Sequence, residues 1–161
     1  MYTSGSMSDP SELDVTGHCY CGGITYRVQI PAGAKCTFTA YCHCDSCRRA
    51  HASPLYQVAG ILEPWLEITG GKEHLVEFQK AGAAVVRAFC GQCGTKILNR
   101  FPGWLIGGTP VIAFFPPTLD EATQHPMPKL LVPAKINRPT ECILDWDKLL
   151  ETREIPQSAG D

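Results

Sequence analysis

The chain lacks an excess of charge of either sign. Over 161 residues, 14 Lys+Arg stand against 16 Asp+Glu, a formal net charge of -2. Without a long basic run it has no field that would gather a polyanion, so nucleic acid is not an expected partner. A long apolar run is missing too. The longest, Trp104 to Phe115, is interrupted by Gly107, Gly108, Thr109 and Pro110 and is too short to span a bilayer. Met1 to Thr16 carries acids and few apolar residues, where a secretory leader would have a basic start and a greasy core. These absences predict no membrane partner and a cytoplasmic location, where thiols stay reduced.

Helical periodicity is scarce as well. Only Ser46 to Ala52, a stretch around Asp120 to Gln124, and Asp147 to Glu151 read as short helices. Turn formers are plentiful, with 15 glycines and 13 prolines. Between them lie segments that alternate or concentrate apolar residues as strands do: Ile24 to Ile30, Leu55 to Ile61, Leu66 to Thr69, His74 to Phe78, Val85 to Phe89 and Thr95 to Leu98. The expected fold class is mainly β with few short helices. Residues 1–14 read as a flexible tail, 15–155 as a single domain and 156–161 as a C-terminal tail. From Pro116 the prolines crowd, which predicts an extended segment wrapped over the domain rather than a second core.

What the chain does have is cysteine. Seven of nine fall into three clusters, Cys19-x-Cys21, Cys42-x-Cys44-x-x-Cys47 and Cys90-x-x-Cys93. Each cluster can bring two or three soft thiolates to one point, and Zn²⁺ stabilises their deprotonated form. Disulfides fit less well, because cysteines one residue apart rarely meet bridge geometry. Four thiolates saturate a structural zinc and three leave an open position, so seven divide into four plus three, with two zinc ions per chain. Spacing allows two divisions. Cys44, Cys47, Cys90 and Cys93 make two C-x-x-C pairs, while Cys19 and Cys21 with Cys90 and Cys93 leave the middle trio intact.

The residues around these clusters, Gly17-His-Cys-Tyr-Cys-Gly-Gly23, Tyr41-Cys-His-Cys-Asp-Ser-Cys-Arg48 and Arg87-Ala-Phe-Cys-Gly-Gln-Cys-Gly-Thr95, resemble one family in order. It is the glutathione-dependent formaldehyde-activating enzyme and centromere protein V family. The resemblance implies a small antiparallel β-tent pinned by a structural zinc on Cys19, Cys21, Cys90 and Cys93. It also implies a second, reactive zinc on Cys42, Cys44 and Cys47, and glutathione as co-substrate. Two departures stand out: Arg49-Ala-His51-Ala-Ser-Pro54 puts an imidazole where the family has a small or Gly-rich step, and the Pro-rich C-terminal third lacks the family's His-plus-aromatic stretch.

Three residues beside the trio are candidate catalytic groups. Arg48 and Arg49 could hold a carboxylate of the ligand or offset the charge of a thiolate-rich zinc. His51, one helical turn past Cys47, could face the metal or the substrate, or simply sit at the surface. His43 is read as a non-ligand, His18 as a surface residue, and Arg87 as support for the second knuckle. Tyr26, Tyr56 and Phe89 are read as core. Cys36 and Cys142 are read as buried free thiols, with Cys36 a minor candidate for a fourth ligand at the trio.

A zinc with three thiolates and a free corner can activate an incoming thiol for attack on carbon. By resemblance the expected activity is a zinc-dependent carbon-sulfur lyase that forms S-hydroxymethylglutathione. Its partner is a small-molecule thiol or thiol adduct. A non-catalytic zinc-binding interaction or scaffold module is the alternative, and another thiol adduct is a third reading.

Overall fold

The computed structural model of the chain describes residues 12–137 and Ile143. Alternation builds its first hairpin. In β2 (Thr25–Ile30) the side chains of Tyr26, Val28 and Ile30 are wholly buried while Thr25 and Gln29 point out. It pairs antiparallel with β1 (Leu13–His18), from Leu13 opposite Ile30 to His18 opposite Thr25, and on its other side with β5 (Leu66–Gly70). Gly17 is the close approach in this hairpin. A Cβ there would stand 2.5 Å from the Tyr26 ring and 2.6 Å from the Thr118 carbonyl.

A second sheet contains β3 (Phe38–Cys42), β4 (Tyr56–Leu62), β6 (Leu75–Gln79), β7 (Val86–Cys90), β8 (Lys96–Ile106), β9 (Thr109–Phe114) and β10 (Lys135–Asn137), in spatial order β10-β3-β4-β9-β8-β7-β6. Its pairings are antiparallel except at one edge, where β10 runs parallel to β3. The helices are α1 (Asp45–His51) and α2 (Glu121–Gln124), with short 3-10 turns between strands. No helix of the described residues is long and apolar enough to cross a membrane.

Both faces of this larger sheet carry buried apolar residues, and that places everything that follows. Ala59 and Ile61 of β4, Ala88 and Cys90 of β7, and Ile112 and Phe114 of β9 pack toward Ile24, Tyr26 and Val28 in the main core. The other parity of the same strands, with Ala40, Val58 and Ala113, forms a smaller cluster with Phe115, against which Phe38, Tyr56 and Phe101 pack. Each fully buried Ile or Phe contributes about 1.5–3 kcal/mol, so the main core carries most of the stability.

Six expected strands correspond to β2, β4, β5, β6, β7 and β8, the last running on to Ile106 rather than stopping at Leu98. Four elements were not expected. Strand β1 takes in Leu13 and Asp14, which were assigned to the tail; β3 and β9 lie in segments read as loop or broken apolar run; β10 lies in the Pro-rich part. That part does wrap the domain as far as it is described. Leu131 is fully buried, the Gln57 side chain donates to the Leu131 carbonyl, and Thr39 Oγ1 donates to the Val132 carbonyl. The helix expected at Asp147 to Glu151, the C-terminal tail and Cys142 lie outside the described residues.

Candidate metal centres

Two tight turns build the first centre. Cys19 and Cys21 follow β1, where Gly22, at φ 73°, donates its N–H to the Cys19 carbonyl and returns the chain to β2. Cys90 ends β7 and Cys93 follows in a turn closed by Gly94 N–H on the Cys90 carbonyl. The sulfurs of Cys19, Cys21, Cys90 and Cys93 all lie within 4.8 Å of one another. Tetrahedral zinc, with Zn–S near 2.3 Å, needs sulfurs about 3.8 Å apart. Cys19 to Cys21 is 3.5 Å and Cys21 to Cys90 is 3.9 Å, so the donor set and its spacing fit the ion.

The surroundings hold this set from outside. The Ile24 N–H donates to Cys19 Sγ at 3.2 Å, and Thr95 Oγ1 sits 3.2 Å from Cys93 Sγ while accepting the Tyr20 N–H. The Thr95 hydroxyl draws the Cys93 thiol down to about 5. Such outer hydrogen bonds orient thiolates and spread their charge. Cys19 and Cys90 are fully buried members of the main core.

The second centre is compact in sequence. Cys42 ends β3, Cys44 caps α1, and Cys47 lies in its first turn, its N–H bonded to the Cys44 carbonyl. Their sulfurs also lie within 4.8 Å of one another. Three thiols of this kind fit a zinc that retains an open position. The geometry therefore selects one of the two divisions left open by spacing: Cys44 and Cys47 group with Cys42, not with Cys90 and Cys93. Cys36 stands outside both groups, packed against the main core, where burial pushes its thiol up to about 11.

The trio opens onto a cavity of about 620 Å³ on the sheet face away from the main core. Parity explains which residues share it. Arg87 and Cys90 are three apart on β7, so Cys90 points to the first centre and Arg87 to the second. Arg87 Nη2 reaches Ser46 Oγ at 3.2 Å and Cys47 Sγ at 3.8 Å, and its Nη1 lies 3.5 Å from His51 Nε2. The Tyr56 hydroxyl lies 3.3 Å from Cys47 Sγ. Burial pushes the Tyr56 phenol far above its ordinary range, so it stays protonated and is placed to donate to that sulfur.

Of the three candidate catalytic residues, only His51 is held against the groups of this site. Ala52, at φ 48°, ends the helix just after it. The imidazole stacks on Tyr56 at 4.1 Å between centroids and meets Phe115 edge-on at 4.9 Å. Burial, with Arg87 and Lys96 nearby, lowers it to about 4, so it is neutral at pH 7. Arg48 instead donates to the His43 carbonyl and pairs with Asp45 at 3.5 Å, bracing the turn. Arg49 is 80% exposed and pairs with Asp45 at 3.0 Å. Neither lines the cavity; the guanidinium that does is Arg87.

Other single residues divide similarly. His43 is fully buried beside the trio but is not in the thiol group, and His18 is about half exposed with Asp120 3.7 Å away. Tyr26 is core, its hydroxyl 2.7 Å from Thr118 Oγ1. Phe89 is only half-buried, with Lys96 Nζ 4.4 Å above its ring. Tyr56, read as core, is a wall of the site. Only its place in β4, opposite Cys42, reveals that role.

Residues 14–127 match the family described as glutathione-dependent formaldehyde-activating enzyme. Among solved structures, a Rhodobacter sphaeroides protein is similar with a TM-score of 0.54 at 20% sequence identity, over 76% of this chain and 99% of that one. At that identity the likeness concerns the fold. No curated protein sequence matches the chain.

Proposed function

Because the chain belongs to the glutathione-dependent formaldehyde-activating enzyme family, we propose that it is a zinc-dependent carbon-sulfur lyase acting on glutathione or a related thiol adduct. The observation that carries this reading is a three-thiol group opening onto a cavity, beside a four-thiol group whose Cys19 and Cys90 are buried in the core and whose Cys21 is exposed. Cys19, Cys21, Cys90 and Cys93 would hold a structural zinc, and Cys42, Cys44 and Cys47 a second ion. A zinc bound at the trio supplies a Lewis acid that makes an incoming thiol a thiolate at neutral pH.

The chain's own residues do the rest. Tyr56 donates its hydroxyl proton to Cys47 Sγ and tempers the charge of the donor set. Arg87, steadied by Ser46 and the neutral His51, presents a guanidinium to a ligand carboxylate, and the ammonium of Lys135 lines the same cavity. Arg48 keeps the Cys42 to Cys47 turn in shape. In the synthetic direction the thiol sulfur bonds to the formaldehyde carbon, the carbonyl π pair moves to oxygen, and the thiol's proton ends there.

Glutathione should therefore bind zinc-replete protein in a calorimetric titration and lose affinity about tenfold or more in Arg87→Ala, as for a charge-assisted pair. Exchange NMR should find S-hydroxymethylglutathione forming faster than the spontaneous rate. If glutathione neither binds nor reacts in protein carrying both zincs, the formaldehyde assignment falls.

A further inference from the structure

The far wall of the trio's cavity is aromatic. Phe38 and Trp104 stack with ring planes 8° apart and centroids at 5.7 Å, and Phe101 meets them edge-on at 6.4 and 5.3 Å. All three line the same cavity as Cys42, Cys44 and Cys47. Glycine makes room for the arrangement: opposite Phe38 on β4 stands Gly60, where a Cβ would fall 2.2 Å from the Phe38 ring. Trp104 stays 41% exposed at the start of the β8–β9 hairpin tip, an apolar ring left at a cavity wall rather than folded into the core.

The same cavity also presents a polar side chain. Asn99 is 3% exposed and its side chain lines the cavity. A carboxamide at a cavity wall offers both an N–H donor and a carbonyl acceptor to a ligand.

A hydroxymethyl group uses neither feature. It carries one carbon, and glutathione is polar throughout; a cavity of about 620 Å³ is in the size range of drug-sized ligands. Resting on the lyase reading above, we propose that the electrophile this site joins to a thiol, or releases from one, is an aromatic aldehyde whose ring lies against Phe38 and Trp104. Asn99 then donates its amide N–H to the aldehyde oxygen. The thiol sulfur bonds to the aldehyde carbon, the π pair moves to that oxygen, and the proton given up by the thiol completes a hydroxyl. The product is an aryl hemithioacetal, and nothing is oxidised or reduced.

The test compares S-benzylglutathione with S-methylglutathione, and benzyl mercaptan with ethanethiol, by calorimetry on zinc-replete protein. Each benzyl probe should bind about tenfold tighter than its small partner, the worth of one buried aromatic contact. It should also change tryptophan fluorescence. Both effects should shrink to under about threefold in Trp104→Ala and Phe38→Ala, and persist in Phe78→Ala, whose ring is 59% exposed outside the cavity. No benzyl preference, or a preference that survives both aromatic truncations, overturns the proposal while leaving formaldehyde activation standing. If neither glutathione derivative binds but benzyl mercaptan still outcompetes ethanethiol through Trp104, the glutathione reading fails and the aromatic subsite holds.

Discussion

Cys90 and Arg87 are three residues apart on one strand, yet they belong to regions with opposite demands. On the face of Cys90, four sulfurs sit at the seam of two sheets, with Cys19 and Cys90 buried among Ile24, Ile97 and Leu75. On the face of Arg87, three sulfurs border open space, with a phenol, a guanidinium and stacked rings around it. The same side chain serves both, so the difference comes from ligand number and from what packs outside the ligands. Four ligands drawn from two turns distant in sequence would tie those strands together; a trio within six residues would fix only a turn and leave room for a further donor.

The sharpest way to break this comparison is to remove one sulfur from each side. Cys90→Ser should lower Tm by about 10 °C or more and leave much of the protein aggregated, because a zinc held there would join the β1–β2 hairpin to β7. Cys44→Ser should shift Tm by about 3 °C or less while abolishing thiol binding. Thermal unfolding followed by circular dichroism decides it. Equal loss of fold would make both centres structural and return the scaffold reading to the front.

A smaller but more selective effect concerns metal release. Reduced protein should carry close to two zinc ions per chain, and a chelator should take the trio's ion at least about tenfold faster than the other, since three thiolates hold an ion less firmly than four. A colorimetric zinc assay would show two phases, and the slow one should coincide with loss of structure. A single phase would erase the distinction between the faces.

Both thiol groups could be read from sequence because thiols that meet on tight turns keep fixed short spacings, as Cys19-x-Cys21 and Cys90-x-x-Cys93 do. Which pairs meet is a matter of topology, and spacing left it open; the resemblance supplied a division into four and three, and the sulfurs lie together in those two groups. Strands with clean alternation, such as Thr25–Ile30, were legible as well. Phe38–Cys42 and Thr109–Phe114 were not. The latter is a central strand buried on both faces, so its apolar run has no period to detect, and Pro110 within it suggests a break. The cation that lines the cavity was hidden for a similar reason. Adjacency to Cys47 pointed to Arg48 and Arg49, but the side chain that reaches the sulfur, Arg87, arrives from a strand 40 residues away.

The finest test of the two faces is electrostatic. His51 has an ordinary value near 6.5 and about 4 in the folded protein, set first by burial and then by the charges of Arg87 and Lys96. Between those values the unfolded chain binds a proton that the folded chain refuses, so stability is whole above about pH 6.5 and declines as the pH falls toward 4. The wild type should lose about 1 kcal/mol between pH 6 and 5 relative to His51→Phe, a variant that can still stack on Tyr56 but has no proton to take. Urea midpoints measured at both pH values, with the zinc content of the two proteins matched, would show the gap. Parallel curves would mean that neither burial nor the charges of Arg87 and Lys96 hold the His51 imidazole below its ordinary value in the folded protein.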